Sequence, residues 1–342
     1  MHSILRKIAI GTGDLLKDRY LQRLNVLKRA IALGCGVIDS AEIYYNGKAN
    51  KLLSKIDKNY KVINKVNYLK KNSKNYLIES CNNILDSIKK KKIDYFLTHW
   101  STLDSGQNLI QQINQLKKSK KIIWFGLGNP TLKELKIINK ATNNQIKVVE
   151  IEYNIFNFSY QKKILEYCKK KKIKIFAYSP IKYALLKKLN KQCSDILLKI
   201  KEDFKLDLFQ ICIIFCIINK TTPILSIKNN YRLNEIIKIG NKFKNKKLSK
   251  IIKILSLKLR CYKKINAKKL IYLEKNKCIS LKKKKLKKNI IIKIRNEIKS
   301  FGMLKPIYIA KYKNKYQIID GKSRAKAFYL NDPKKLIPCI VL

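Results

Sequence analysis

The 342-residue chain has no apolar run long enough to cross a bilayer, no CxxC pair, no GxGxxG fingerprint and only two histidines. Its longest apolar stretch, LFQICIIFCII at 208–218, falls short of the roughly 20 residues a membrane helix needs. It leads into TTP and reads as a buried helix. Nine cysteines, Cys35, Cys81, Cys168, Cys193, Cys212, Cys216, Cys261, Cys278 and Cys339, are scattered without paired metal-ligand spacing. That excludes a paired-cysteine metal centre and points to free thiols in a reducing compartment. The opening MHSILRKIAIGTG has neither the long apolar core nor the small-residue cleavage site of a secretory signal, so a cytoplasmic location is expected. Neither a metal nor a membrane partner is expected.

Acidic residues are scarce as well: 22 Asp and Glu stand against 78 Lys and Arg, a formal charge of +56. Lysine clusters gain affinity for phosphates by releasing counterions, so a nucleic-acid partner stays open. The excess is nevertheless spread over the whole length and travels with equally heavy Ile and Asn, as in KKKKIDYF, NKATNNQIK and KLKKNIIIKI. Those three residues share A/T-rich codons, and coding bias produces the trio without any selection for binding. Single lysines therefore carry functional weight only where position supports them. A field of this size still implies salt-dependent adhesion to polyanions.

Up to residue 243, short β-rich runs alternate with amphipathic stretches. The strand candidates are IAIGTG (8–13), GVIDS (36–40), KVINKV (61–66), IDYFLTHW (93–100), IIWFGLG (122–128), VVEIEYN (148–154), IKIFAYSP (173–180) and PILSI (223–227). Between them, segments such as YLQRLNVLKRAIALG, NYLIESCNNILDSIKKKK and LKELKIINKA place apolar residues at i, i+3 and i+4. Eight such alternations predict an α/β fold, a parallel (β/α)8 TIM barrel over residues 1–243. Residues 244–265 read as a lysine-rich helical connector. Residues 266–342 read as a smaller α+β unit: strand KKLIYLE, a helix around NIIIKIRNEIKSFG, then MLKPIYIA, KYQIIDG, a helix at SRAKAFYL and a last strand IPCIVL.

Chemistry is concentrated where barrel strands end, the rim that carries catalytic groups in this architecture. Asp39, Lys65 and His99 each close an apolar run, and Tyr44 follows Asp39 in the next loop. Reduction of a carbonyl needs a hydride at carbon and a proton at oxygen. A tyrosine supplies that proton if a nearby ammonium favours its phenolate. Lys65 is the natural ammonium, Asp39 its counterion, and His99 a donor to the carbonyl oxygen.

With these residues placed, most of 5–240 resembles the aldo-keto reductase family. The family's D-x-A-x-x-Y matches Asp39, Ala41 and Tyr44, its strand-ending lysine matches Lys65, and D-L-x-x-x-H-W matches Asp94, His99 and Trp100, with Tyr95 in place of the leucine. The resemblance implies an NAD(P)H-dependent reductase of a small aldehyde or ketone, including a sugar, with Tyr44 as acid, NADP(H) being favoured over NAD(H). It implies cofactor contacts from Gly11 and Thr12 on the first strand, Asn129 in FGLGNP, Glu150 in EIEYN, Tyr178 and Ser179 in YSP, and Arg232 and Glu235 in the late R-x-x-E. Phosphates would lie near the loops after strands 7 and 8. Four positions depart from the pattern: Tyr45 for a glycine, Gly128 for a serine, Glu150 for a glutamine and Ser226 for a lysine. A carboxylate accepts hydrogen bonds only, so Glu150 lacks the glutamine's donor.

The C-terminal unit resembles the ParB/sulfiredoxin superfamily. Gly302 to Pro306 with Ile307, then Gly321, Lys322, Ser323, Arg324, Lys326 and Ala327, parallel that group's G-L-x-x-P-I and G-E-R-R-x-R-A. Lys322 stands where sulfiredoxin has its reactive cysteine, which argues against that enzyme. A glycine turn delivering backbone N–H groups and Arg324 to a helix start suits a phosphate, so Gly321, Lys322, Ser323 and Arg324 are candidates for a nucleotide or phosphorylated ligand. A second functional class follows: a regulatory protein whose barrel senses a redox cofactor and whose C-terminal domain binds a nucleotide or DNA.

Overall fold

The computed structural model describes residues 2–341 apart from 15–19, 58, 68–74, 101–106, 182–190, 260–261, 266–268, 275–276, 281–289, 293, 296–306, 313 and 333–335. These residues form two compact units, one of 1–153, 163–180 and 206–249, the other of 154–162, 181–205 and 250–342. The helices in chain order are α1 (Tyr20–Ala32), α2 (Lys48–Leu53), α3 (Tyr76–Ile88), α4 (Gln107–Lys118), α5 (Leu132–Ala141), α6 (Phe158–Lys170), α7 (Lys191–Phe204), α8 (Leu208–Ile218), α9 (Asn230–Lys238), α10 (Lys246–Lys258) and α11 (Lys322–Asn331).

In the first unit eight parallel strands close on themselves: β1 (Ala9–Gly11), β2 (Val37–Ala41), β3 (Lys61–Val66), β4 (Ile93–Thr98), β5 (Ile122–Gly128), β6 (Ile146–Glu152), β7 (Lys174–Tyr178) and β8 (Thr222–Leu225). Pairing of Ala9 with Ile224 completes the ring. Every expected strand is present, and the fold is the (β/α)8 barrel. Near-continuous apolar runs suit strands covered on both faces. Ala9, Val37, Ile63, Tyr95, Leu97, Val148, Phe176 and Ile224 fill the interior. On the outside, α3 buries Leu77, Cys81, Ile84, Leu85 and Ile88, one helical face.

The apolar run at 208–218 is α8, buried nearly all round. Asp207 opens it with a reciprocal bond to Gln210, and Thr131 with Glu134 does the same for α5. Among the described residues no helix is long and apolar enough to cross a membrane. Seven described cysteines are buried and form no disulfide: Cys35, Cys81, Cys168, Cys193, Cys212, Cys216 and Cys339.

The barrel is tightly packed on both sides of β5. A Cβ on Gly126 would lie 2.2 Å from the Val148 carbonyl oxygen, and one on Gly128 would lie 2.5 Å from the carbonyl oxygens of both Thr98 and His99. Only glycine permits approaches this close. The ladder slips by one residue between Phe125 and Gly126.

The second unit contains a six-stranded sheet ordered β11 (Lys277–Ser280), β10 (Leu270–Glu274), β13 (Lys315–Asp320), β12 (Ile307–Tyr312), β14 (Ile337–Val341) and β9 (Tyr262–Ile265). Its core includes Ile265, Leu270, Tyr272, Ile307, Ile309, Ile318, Phe328 and Ile337. Two of its strands depart from the sequence reading. Residues 262–265, read as the end of a helical connector, pair with β14, and 277–280 form a hairpin with β10. YKKI has the apolar spacing of a helical turn, and its strand state comes from a partner more than seventy residues away, Ile337 opposite Ile265. Of the helix expected near 289–302, residues 290–292 and 294–295 are helical, while the rest and the Gly302–Pro306 motif lie outside the described residues.

Gly126→Ala is expected to destabilise the barrel by about 1–3 kcal/mol, the usual range for forcing extra methylenes into a packed interior. A lowered thermal midpoint would register it, and an unchanged one would show that β5 and β6 can separate.

Candidate active site

Parallel register sets the site. Gly11 lies beside Asp39, Ala41 beside Lys65, and Lys65 beside Leu97, so polar residues ending successive strands arrive on one rim. His99 follows β4 directly, held by its N–H to the Val66 carbonyl at 2.7 Å. Asp94, at the other end of β4, accepts the Val62 N–H at 2.9 Å and locks β4 to β3. Tyr44 sits in the turn after β2, its N–H bonded to Ala41 at 3.1 Å. That turn proceeds through Tyr45, Asn46 and Gly47 with φ of 52°, 53° and 82°. The left-handed value at Tyr45 gives a backbone reason for the glycine usual at this position, and here a tyrosine bears the strain.

At the centre is Lys65, 1% exposed. Its ammonium donates to Asp39 Oδ1 and, at 3.1 Å, to the Glu150 carboxylate. The Tyr44 ring centroid lies 5.3 Å from Lys65 Nζ. His99 meets the Tyr44 ring edge-on at 5.7 Å and stacks on Trp100 at 5.4 Å. Asp39, Tyr44, Lys65 and His99 are thus brought together, joined by a carboxylate from β6.

The electrostatics differ from the sequence expectation. Burial pushes the Asp39 carboxyl up, Glu150 adds to it and Lys65 opposes, leaving it at about 8. For Lys65, burial alone would weaken its hold on a proton, yet Asp39, Glu150 and Tyr44 outweigh that and raise it above the ordinary lysine value. Burial also drives the Tyr44 phenol well above its usual range; the Lys65 charge and hydrogen bond pull it down, while Asp39 and Glu150 push it further up. The expected ammonium effect is present and is overruled. One cation facing two buried carboxylates cannot acidify a phenol as a cation facing one can.

Next to this cluster, Asn129 (φ 54°) accepts a hydrogen bond from the Tyr178 hydroxyl at 2.5 Å, and its Nδ2 donates to the His99 carbonyl at 3.4 Å. Its N–H bonds the Glu150 carbonyl at 2.7 Å. Ser179 follows Tyr178 with φ 48°. The Gly128 contacts described above account for the missing serine, since any side chain there would strike the backbone carrying His99. Thr12 is buried, its N–H on the Asp39 carbonyl at 2.9 Å. Cβ positions built on Gly11 and Gly13 would come 3.8 Å from Asp39 and 3.5 Å from the Tyr44 ring. A side chain at Gly11 would also crowd Ile224 at 3.1 Å, and the Tyr178 ring with the Asn129 amide offers a face and a polar edge that fit a nicotinamide. Arg232 and Glu235 lie apart on α9. The guanidinium is stacked 4.8 Å from the Phe209 ring, and the carboxylate pairs with Lys238 at 2.7 Å. Ser226 donates to Asp14 at 3.3 Å and brings no cation.

Glu150, which the resemblance sets against the cofactor, is a buried residue whose carboxylate bonds Lys65, a contact the sequence reading missed. Strand alternation carries the signal: Val148 lines the barrel interior, and two residues on, Glu150 shares its face. Among the described residues no cluster of His, Cys, Asp and Glu could hold a metal ion.

In the second unit, Gly321 (φ 89°) caps α11. A Cβ there would meet Ile307 at 2.7 Å and the Arg324 guanidinium at 2.8 Å. Its N–H bonds Asp320 at 2.7 Å, and Arg324 lies 3.7 Å from the other Asp320 oxygen. The Lys322 carbonyl accepts from Tyr272 at 2.9 Å, and Ser323 is half-buried in the first turn of α11.

Comparison with known proteins decides the assignment of the larger unit. A model of the Aldo/keto reductase family matches residues 7–256, well over half the chain. The chain belongs to that family. A model of the ParB N-terminal domain matches residues 262–342. Among curated proteins, this family member is 24% identical over 187 residues to methylglyoxal reductase YeaE of Escherichia coli (strain K12), a match spanning 53% of the chain and 66% of that relative. Among solved structures it resembles the thermostable aldo-keto reductase Tm1743 complexed with epalrestat (TM-score 0.62, 20% identity, 73% of this chain and 94% of that one). An aldo-keto reductase from Klebsiella pneumoniae in complex with NADPH gives a TM-score of 0.61 at 18% identity, over 73% of this chain and 91% of that one. At these identities the structures speak for the barrel fold.

The Asp39 environment has a sign that stability measurements can read. Its proton, held to about pH 8 in the fold and lost near 3.8 otherwise, stabilises the native state fully below pH 3.8, and that contribution disappears as pH rises through about 8. Asp39→Asn is expected to flatten the decline of the thermal midpoint across that window, and an equally steep decline in the variant would contradict this environment.

Proposed function

We propose that the chain is an NADP(H)-dependent reductase of a small aldehyde or ketone, with Tyr44 as proton donor. The observation that carries this reading is the convergence of Tyr44, Lys65, Asp39 and His99 on one barrel rim. The bound dinucleotide supplies the hydride. The chain's residues do the rest: Tyr44 holds a proton at Oη and delivers it to the carbonyl oxygen, His99 orients that oxygen, and Lys65 with Asp39 fixes the phenol and stabilises the charge that develops as its proton leaves. A positioned acid of this kind contributes on the order of 100- to 10,000-fold, and donors aimed at the developing alkoxide add to it.

For the cofactor, Gly11 and Thr12 form the floor, Tyr178 and Asn129 the nicotinamide wall, Ser179 the adjoining turn, and Arg232 with Glu235 the adenosine end. NADP(H) is favoured by relatives crystallised with it, Arg232 being the available cation. Substrates are small carbonyls, among them sugars and dicarbonyls of the kind in the name of the Escherichia coli relative. We place the reductase domain in residues 1–243, the linker in 244–265 and the ParB-like domain in 266–342, with the last four linker residues, β9, joining the sheet of that domain.

Tyr44→Phe is expected to lower turnover by about 100- to 10,000-fold while the affinity for NADPH stays within a few-fold. Steady-state rates over a panel of aldehydes and ketones, with dinucleotide binding followed by fluorescence, measure both. Near-full turnover in the variant would remove Tyr44 from the proton-donor role.

The ParB match favours a second role for the C-terminal unit. Gly321, Lys322, Ser323 and Arg324 form a phosphate-facing turn for a nucleotide or phosphorylated ligand, as part of a regulatory module or one that contacts DNA. Arg324→Ala should weaken nucleotide binding about tenfold or more, the scale of a charge-assisted contact. Equal titration curves for wild type and variant would dismiss the site.

A further inference from the structure

Glu150 is a buried charge that the reduction scheme above leaves unused. Its carboxylate reaches the Lys65 ammonium at 3.1 Å, and both side chains are almost fully enclosed, with exposures of 6% and 1%. The strands flanking β6 set Gly128 and Phe176 beside it, neither of which titrates. The ionisable groups gathered at the cluster are Asp39 from β2, Tyr44 from the turn after it, Lys65 from β3 and His99 after β4. One cation and two carboxylates enclosed together bear a net negative charge, and taking an unbalanced charge out of water costs several kcal/mol. One additional proton removes the imbalance. The elevated Asp39 carboxyl, raised first by burial and then by Glu150, agrees with that count.

We propose that Glu150 converts the Asp39–Lys65 pair into a proton store, two carboxyl groups holding one proton between them, which Lys65 relays to Tyr44 in each turnover. The inference rests on the reductase reading. In the step itself the Tyr44 O–H bond breaks and its proton joins the substrate oxygen, leaving a phenolate. A Lys65 N–H proton then moves to the phenolate oxygen as the stored carboxyl proton moves to Lys65 Nζ. Both carboxylates are left ionised until a solvent proton refills the store, and no electrons change hands. Glu150 is in this sense a positioning residue, acting through Lys65.

Infrared difference spectra of the cofactor-free protein between pH about 6 and about 10 provide the first test, a window in which exposed carboxyls are already ionised. Wild type should lose a protonated-carboxyl C=O band as pH rises, and Glu150→Gln should lack that band. The second readout is the alkaline limb of kcat/KM for carbonyl reduction, which requires a protonated Tyr44. With one negative charge fewer near the phenol, Glu150→Gln should move this limb to lower pH by about one unit or more. A wild-type protein without the band overturns the proposal whether or not the variant folds. A variant that slows the reaction but keeps both band and limb shows Glu150 to be packing only. If instead Tyr44→Phe retains its rate, the reductase reading and the relay fall together, while the band still decides whether the proton is shared.

Discussion

The larger unit depends on one buried ammonium. Lys65 is buried near the rim with Asp39 and Glu150 as counterions, and removing one partner of such a buried ion pair typically costs about 3–5 kcal/mol. The strand register that seats Lys65 beside Ala41 and Leu97 is the same register that aims Tyr44 and His99 across it. Folding and chemistry thus draw on the same contacts, because the charges stay buried only if the barrel closes in this alignment.

Two departures from the family pattern are neighbours. Gly128 is paired with Glu150 across the β5–β6 ladder, and on its other side the Thr98 and His99 carbonyls leave no room for a side chain. The carboxylate at 150 bonds Lys65. Asn129 is tied to Tyr178 and His99. The absent serine answers to the β4 backbone, and the carboxylate in place of glutamine answers to the Lys65 ammonium.

Most of the barrel was legible because each strand is a compact apolar run ended by a polar residue and followed by a 3.6-period helix. Asp39, Tyr44, Lys65 and His99 could be read for the same reason, since strand ends in this architecture define the rim. What escaped was set by distance along the chain. Residues 262–265 become a strand only through β14, and the lysines flanking CIS obscure a hairpin whose partner strand was expected. The acidity of Tyr44 was misjudged because burial raises the phenol most, and because the anions that share the Lys65 cation raise it further, Asp39 and, 85 residues beyond Lys65, Glu150. A list of strand-end residues contains the members of the cluster without the sum of their charges.

The enclosed thiols have a consequence for a member of a carbonyl-reducing family. Electrophilic aldehydes attack thiolates, and forming a thiolate inside an apolar core is unfavourable. Burial pushes Cys35 up to about 11 and Cys81, Cys168, Cys212 and Cys339 up to about 12. Sulfur at these positions stays in its inert form at neutral pH, so hemithioacetal adducts cannot accumulate there while the fold is intact.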